Sequence, residues 1–348
     1  MKPYPRLALA LAAVLLSSSA ALAQPVQGQG ATFPSKIYDA WGRAFQKAGG
    51  AAVAYKGTGS GDGIKQITAR KADFGGTDSP LPAAELASRK LVQIPMLVGG
   101  VVPVVNLPGL GASLQLDGEL LADIFQGRVK VWNDARIAAL NPSLVLPVLP
   151  IRRVVRAEKS GTSEGFSRYL AGASARFKAE VGASQAPAWP GDPLKAEGND
   201  GMVQTLRATP GAIAYVSFDR VLRDRLPAVK LRNAAGRFVL PTEAGFRVAI
   251  LESDMHRQGD DLATLLDRPG NDAWPITLTS FVLLDAEPAT AAKALGAMKF
   301  LYWCFMHGDD LTRGTGFAPL PTSVQSRLAA RFTQVRPKDG QLPAYQAF

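Results

Sequence analysis

This 348-residue chain has one cysteine, Cys304, and two histidines, His256 and His307. A single cysteine forms no internal disulfide and supplies no cysteine-rich zinc site, iron–sulfur cluster or redox pair. Neither histidine sits among carboxylates at metal-ligand spacing, so both read as surface or loop residues and no metal is expected. Past the N-terminus, no stretch reaches the roughly twenty apolar residues that a membrane span needs. No unit of about 20–50 residues repeats. Lys and Arg outnumber Asp and Glu by 39 to 29, but no basic run exceeds two residues, as in Arg152-Arg153. Such scattering argues against a nucleic-acid partner. What is left for function is hydroxyls, backbone amides, arginines and carboxylates.

The chain begins with the basic residues Lys2 and Arg6, the apolar run Leu7–Leu16, and small residues ending Ala21-Leu22-Ala23. That is the layout of a secretory signal peptide over residues 1–23. The apolar run is too short for an anchor and Ser17, Ser18 and Ser19 interrupt it. No cysteine lies near the cleavage point, which excludes a lipid-anchored mature end. The expectation is a soluble exported protein starting near Gln24, and cleavage lowers the net charge from +10 to +8.

The remainder is long enough for about two domains with cores of their own. Short β-rich runs alternate with amphipathic ones, which predicts an α/β architecture. Expected strands are Ala52–Tyr55, Val101–Val105, Arg153–Arg156, Ala212–Val216 and Thr277–Leu284. Expected helices are Ser35–Lys47, Gly63–Arg70, Ser163–Leu170, Gly201–Arg207 and Ala289–His307, the last carrying Trp303 and Cys304 as core residues. Pro187–Gly201, Gly308–Pro321 and the tail after Gln334 read as loop. No linker is visible, as in chains whose lobes exchange segments.

Three helix starts could face an anion. In Gly30-Ala31-Thr32-Phe33-Pro34, the proline suits a first helical position, and Ile37, Tyr38, Trp41 and Phe45 follow at helical spacing. Thr32 and the Phe33 amide therefore lie where free N–H groups and the helix dipole favour negative charge, although for this piece alone plain capping, being common, is the favoured reading. Gly57-Thr58-Gly59-Ser60-Gly61-Asp62-Gly63 is a glycine-rich turn between strand and helix. It lacks the third glycine of the dinucleotide fingerprint and the Gly-Lys-Ser/Thr ending of a Walker loop. Arg156-Ala157-Glu158-Lys159-Ser160-Gly161-Thr162-Ser163 places an arginine, hydroxyls and a glycine amide before a third helix. Each piece is weak alone; three in one chain point to an oxyanion site.

The sequence also resembles the periplasmic phosphate-binding proteins of the high-affinity phosphate ABC importer. The resemblance is carried by residues 30–34, the turn around Ser60, Ala72-Asp73-Phe74-Gly75 with Asp78-Ser79-Pro80, and Arg156 with Ser160-Gly161-Thr162-Ser163. It continues through Gly198-Asn199-Asp200-Gly201, Pro210-Gly211-Ala212-Ile213 and Asp272-Ala273-Trp274-Pro275-Ile276-Thr277. It implies two α/β lobes with a hinge, 24–98 with 275–348 forming one and 99–274 the other, and an anion bound between them. It implies phosphate held by Thr32, Phe33 through its amide, Ser60, Asp78, Arg156, Ser160, Gly161 through its amide, and Thr162, with no cofactor. The implied partners are inorganic phosphate and an inner-membrane permease with its ATPase, the binding protein itself being a periplasmic monomer and not an enzyme. Asp78, by itself a turn residue in Asp-Ser-Pro, would then accept a hydrogen bond from protonated phosphate and repel fully ionised sulfate.

Two positions depart from the family's pattern. Glu158 stands where an aspartate commonly fixes the arginine, and Asp62 follows a serine usually trailed by small residues. Asp62 is expected at a helix start, facing solvent. Other readings of the same residues are a site for another tetrahedral oxyanion, or a phosphate scavenger or sensor without a transport role. The enzyme alternative is a secreted serine hydrolase using Ser163 in Gly161-Thr162-Ser163-Glu164-Gly165, with an acid and a histidine downstream.

Overall fold

Twelve strands organise the computed structural model, which describes residues 24–110 and 112–346; the expected signal peptide lies outside the described residues. In chain order they are β1 (Val26–Gly30), β2 (Val53–Gly57), β3 (Phe74–Thr77), β4 (Leu91–Val105), β5 (Gln115–Leu116) and β6 (Arg152–Arg156). There follow β7 (Leu194–Ala196), β8 (Ala212–Ser217), β9 (Lys230–Arg232), β10 (Phe238–Val239), β11 (Thr277–Asp285) and β12 (Phe317–Pro319). Nine of them form one sheet in the order β2-β1-β3-β11-β4-β8-β6-β7, with β12 also on β4, and β10-β9-β5 make a small second sheet.

The long strand β4 ties the molecule together. Leu91–Gly100 pairs antiparallel with β11, and Val101–Val105 pairs antiparallel with β8. All fifteen residues of β4 are buried, as expected for a strand covered on both faces. Only its last five residues carry an alternation-free β-branched signal strong enough to read from sequence; Pro95 and the glycines at 99 and 100 masked the rest. Pro95 is accommodated at a bulge, where the β11 register shifts between Ser280 and Phe281.

Strands β1 and β3 also escape sequence reading, because Val-Gln-Gly-Gln-Gly and Phe-Gly-Gly-Thr have poor strand propensity. Packing explains them. The helix Ser60–Thr68 lies directly on their backbones, and a Cβ at Gly63 would come within 2.4 Å of the Gly76 carbonyl oxygen and 2.7 Å of Gly30 Cα. Small residues are what let this helix start reach the sheet edge.

The helices Ser35–Lys47, Gly161–Ala173, Gly198–Ala208 and Ala291–His307 lie where periodicity places them, with ends shifted by up to three residues. Ile37, Tyr38, Trp41 and Phe45 are buried as expected. Trp303 and Cys304 are core residues. The loop expected over Pro187–Gly201 instead contains edge strand β7 and the first turn of the helix Gly198–Ala208. Likewise Gly308–Pro321 contains the short helix Asp309–Thr312 and strand β12. Both strands are three residues long, too short for period-two patterning to show.

Candidate functional site

The three helix starts come together at the C-terminal ends of their strands. The helix Ser35–Lys47 follows β1 through Thr32, Phe33 and Pro34, and Pro34 is its N-cap rather than its first residue. Phe33 is fully buried, its ring edge-on to Phe317 at 5.3 Å, which fixes the backbone that presents its amide. Ser60 is the first residue of the second helix, three positions earlier than periodicity suggests, and its Oγ accepts from the Asp78 N–H at 3.1 Å. Ser160 caps the third helix, Gly161–Ala173, its Oγ accepting from Ser163 N–H at 3.2 Å.

Contacts between distant segments unite them. Gly61 N–H donates to the Lys159 carbonyl at 3.3 Å. A Cβ at Gly161 would lie 2.5 Å from Ser60 Oγ and 2.8 Å from Asp78 Cβ, so the third helix start rests against the second and against Asp78. Arg156, at the end of β6, reaches the first: its Nη2 donates to Thr32 Oγ1 at 2.9 Å. Thr32, Ser60, Asp78, Arg156, Ser160 and Gly161 are thereby brought to one place, with Phe33 and Thr162 adjoining in the chain.

Arg156 is buried, and Glu158 holds it. Nε donates to Glu158 Oε1 at 2.8 Å, and Nη2 donates to the same oxygen. Glu158 in turn accepts from Gly198 N–H at 3.2 Å, so the longer carboxylate does fix the guanidinium, through one oxygen rather than side by side. The remaining nitrogen, Nη1, is buried with no hydrogen-bond partner. A buried guanidinium nitrogen left unpaired is costly, and an anion's oxygen would satisfy it.

Besides Glu158, which is paired with Arg156, the cluster holds the buried carboxyl of Asp78. Ser280 Oγ donates to its Oδ1 at 2.7 Å. Burial pushes its carboxyl up to about 7, against the opposing pulls of the Ser280 hydrogen bond and the Arg156 charge. Asp62 is not turned to solvent as expected. It is half-buried, its carboxylate accepting from Gln29 at 2.5 Å, Thr58 at 2.6 Å and Gln66 at 3.0 Å. Burial pushes that carboxyl up, but the Thr58, Gln66 and Gln29 hydrogen bonds with the Lys65 charge outweigh it and hold it below the usual range. Its charge is thus satisfied within its own helix start and the neighbouring strand.

Sequence reading missed two site neighbours. Ser280 is one of three hydroxyl residues in β11, beside Thr277 and Thr279, and nothing local singles it out. Asn199 donates from Nδ2 to Thr32 Oγ1 at 3.1 Å and accepts from Ser217 N–H at 3.0 Å through Oδ1. It is an amide in the first turn of a helix after glycine, a position that also suits plain capping.

Ser163 is buried and hydrogen-bonded to Tyr215 OH at 2.7 Å. His256 and His307 are exposed, on the helix Asp254–Arg257 and at the end of Ala291–His307. No histidine therefore serves Ser163 as a base, and the geometry of a hydrolase triad is not met. Among the described residues, no group of three His, Cys, Asp or Glu side chains is placed to hold a metal ion. No helix of those residues is long and apolar enough to cross a membrane.

The PBP superfamily domain model matches residues 17–306. A phosphate-binding protein PstS of Xylella fastidiosa is 37% identical over 306 residues, covering 88% of this chain and 84% of that protein. The chain belongs to this family. A PstS of Haemophilus influenzae is 36% identical over 314 residues, covering 90% of this chain and 93% of its own length. The family fold is matched by the subatomic-resolution structure of a high-affinity periplasmic phosphate-binding protein, PfluDING, bound with phosphate. That likeness has a TM-score of 0.69 at 24% identity and covers 88% of this chain and 93% of that one. The fold is that of the two-lobe binding proteins of this family.

Proposed function

We propose that this protein binds inorganic phosphate between its lobes in the periplasm and delivers it to an ABC importer. The observation that carries the reading is Arg156 Nη1, buried and unpartnered where three helix starts converge. Thr32, the Phe33 amide, Ser60, Ser160, the Gly161 amide and Thr162 would donate to the anion alongside Arg156, and Asp78 would accept. First-turn N–H groups have no intrahelical partner, so they are available to a ligand. Hydrogen bonds to charged groups contribute roughly 1.5–3 kcal/mol each, and a handful exceeds the roughly 8 kcal/mol of micromolar binding after ordering costs.

Asp78 supplies the choice of anion. Phosphate near neutral pH keeps a proton to donate to an ionised carboxylate, whereas sulfate has none and meets only repulsion. Arsenate has the same charge and proton inventory and should compete.

The lobes we assign are 24–98 with 275–348, and 99–274. The change of partner along β4 between Gly100 and Val101 supports a hinge there. Across the cleft run the bonds from Arg156 and Asn199 to Thr32, and from Arg220 Nη2 to Ser35 Oγ at 3.3 Å, which fit a closed arrangement. The N-terminal address would be removed on export, leaving a monomer with neither lipid anchor nor membrane span. Its partner would be the membrane-embedded permease with its ATPase. Ser163, without a histidine, supports a binding role rather than catalysis.

Calorimetric titration with phosphate, sulfate and a small phosphate ester tests the reading. Phosphate is expected to bind at micromolar concentration or tighter, with sulfate at least a hundredfold weaker; absence of phosphate binding refutes it. Hydrolysis of a generic ester, abolished by Ser163→Ala, would instead favour the enzyme alternative.

A further inference from the structure

The backbone N–H of Ser217 can only donate, so the Asn199 oxygen that accepts it is fixed as Oδ1. The amide nitrogen therefore faces Thr32, and Thr32 Oγ1 accepts from two donors, Asn199 Nδ2 at 3.1 Å and Arg156 Nη2 at 2.9 Å. A hydroxyl oxygen has two lone pairs and one proton. With both lone pairs taken, the only hydrogen bond left to Thr32 is one it donates.

We infer that Asn199 is a positioning residue that holds the Thr32 hydroxyl as a dedicated donor to the bound anion; this rests on the phosphate reading above. The same polarity recurs around the site. Ser60 Oγ accepts from Asp78 N–H and Ser160 Oγ accepts from Ser163 N–H, which leaves each hydroxyl proton for a ligand. Asp78 is the exception, acting only as acceptor when ionised. Hydroxyls of this kind are ambivalent in water, donating or accepting with equal ease. Here the protein fills both lone pairs of Thr32 and one each of Ser60 and Ser160, so Thr32 is restricted to donating and the two serines are biased toward it before any ligand arrives.

Asn199 does this from the far side of the cleft. It sits in the helix Gly198–Ala208, is buried, and is anchored to the end of β8 through Ser217. Its neighbour Gly198 donates to Glu158, which grips the same arginine that bonds Thr32. The pair Gly198-Asn199 thus closes a ring through Glu158, Arg156 and Thr32. Substituting Asn199 would act through Thr32, with no direct contact to the anion required.

The test is a double-mutant cycle on phosphate affinity, read by calorimetry on the full mature chain. Asn199→Ala is expected to weaken phosphate binding roughly tenfold, the scale of one charge-assisted hydrogen bond. In a Thr32→Val background, where no hydroxyl needs orienting, the same change should cost at most about twofold. Asn199→Asp keeps the shape and the bond from Ser217 but offers Thr32 an acceptor, so its loss should exceed that of alanine, with the excess reduced by Thr32→Val. Equal losses with and without the Thr32 hydroxyl overturn the inference, as does wild-type affinity in both Asn199 variants. Wild-type protein that binds no phosphate defeats the functional reading itself, and this one with it. Should the alanine variant unfold, the isosteric aspartate cycle decides alone, with urea unfolding of the free protein reporting the fold.

Discussion

Replacing Asp78 with asparagine should make the phosphate-free protein more stable at pH 8 and flatten the dependence of its stability on pH. In the folded protein burial raises this carboxyl from an ordinary 3.8 to about 7, with Ser280 and Arg156 offsetting only part of the effect. Between those two values the folded state holds a proton that the unfolded chain has released. Stability from this group is therefore fully present below pH 3.8 and is lost as pH rises through about 7. A difference of about three pH units at ~1.4 kcal/mol per unit is a loss of roughly 4 kcal/mol. That is a large share of the roughly 5–15 kcal/mol by which a domain is stable. Asparagine cannot ionise, keeps an oxygen for the Ser280 hydroxyl, and is nearly isosteric. Urea unfolding from pH 4 to 8.5 in phosphate-free buffer is the assay. Wild type should lose several kcal/mol more than the variant across this range, and the two should cross below neutral pH. Phosphate should then reverse the order at pH 8, because the ionised carboxylate gains a ligand proton to accept. Parallel pH profiles for the two proteins would refute the reasoning, since they would mean that Asp78 is hydrated or otherwise neutralised in the free fold.

Three further outcomes follow from contacts in the cleft. Gly161→Ala places a methyl group 2.5 Å from Ser60 Oγ and 2.8 Å from Asp78 Cβ while sitting at an ordinary helical position. Overpacking of about 1–3 kcal/mol predicts phosphate affinity down by roughly 10–100-fold, and equal affinity would show that the lobes need not meet there. Arg156→Lys should not substitute: it keeps the charge but loses the fork that joins Glu158 and Thr32, and calorimetry should show a loss on the order of a hundredfold. Ser280→Ala removes the hydroxyl that pulls the Asp78 carboxyl down, so the protonation midpoint of Asp78, followed by carbon NMR, should move further up. Rejection of sulfate in that variant should set in at correspondingly higher pH, and an unshifted midpoint would count against the Ser280 contact.

What was legible in the sequence was local. A proline before Ile37, Tyr38, Trp41 and Phe45, and a serine that caps Gly161–Ala173, place helix starts because capping and amphipathic spacing act over a few residues. So Thr32, the glycine-rich turn before the second helix and the Arg156–Ser163 turn before the third can be read from the chain in order, while Ser60 and Ser160 as individual donors come from the family resemblance. The scarcity of histidine and cysteine likewise left amides, hydroxyls, an arginine and an aspartate as the working groups. Only the tertiary structure decided how those pieces face one another. β4 changes partners from β11 to β8 directly after Gly99-Gly100, and those glycines do not say which strands the partners are, because strand pairing is a non-local choice. Asn199 meets Thr32 across 167 residues, and Ser280 meets Asp78 across 202. A buried polar group has to be paired, but its own sequence neighbourhood does not say with what. The sheet and the closing of its two halves supply those partners. They also set which lone pairs are filled and which protons are left to donate, and so bring three common helix starts together as the proposed anion site.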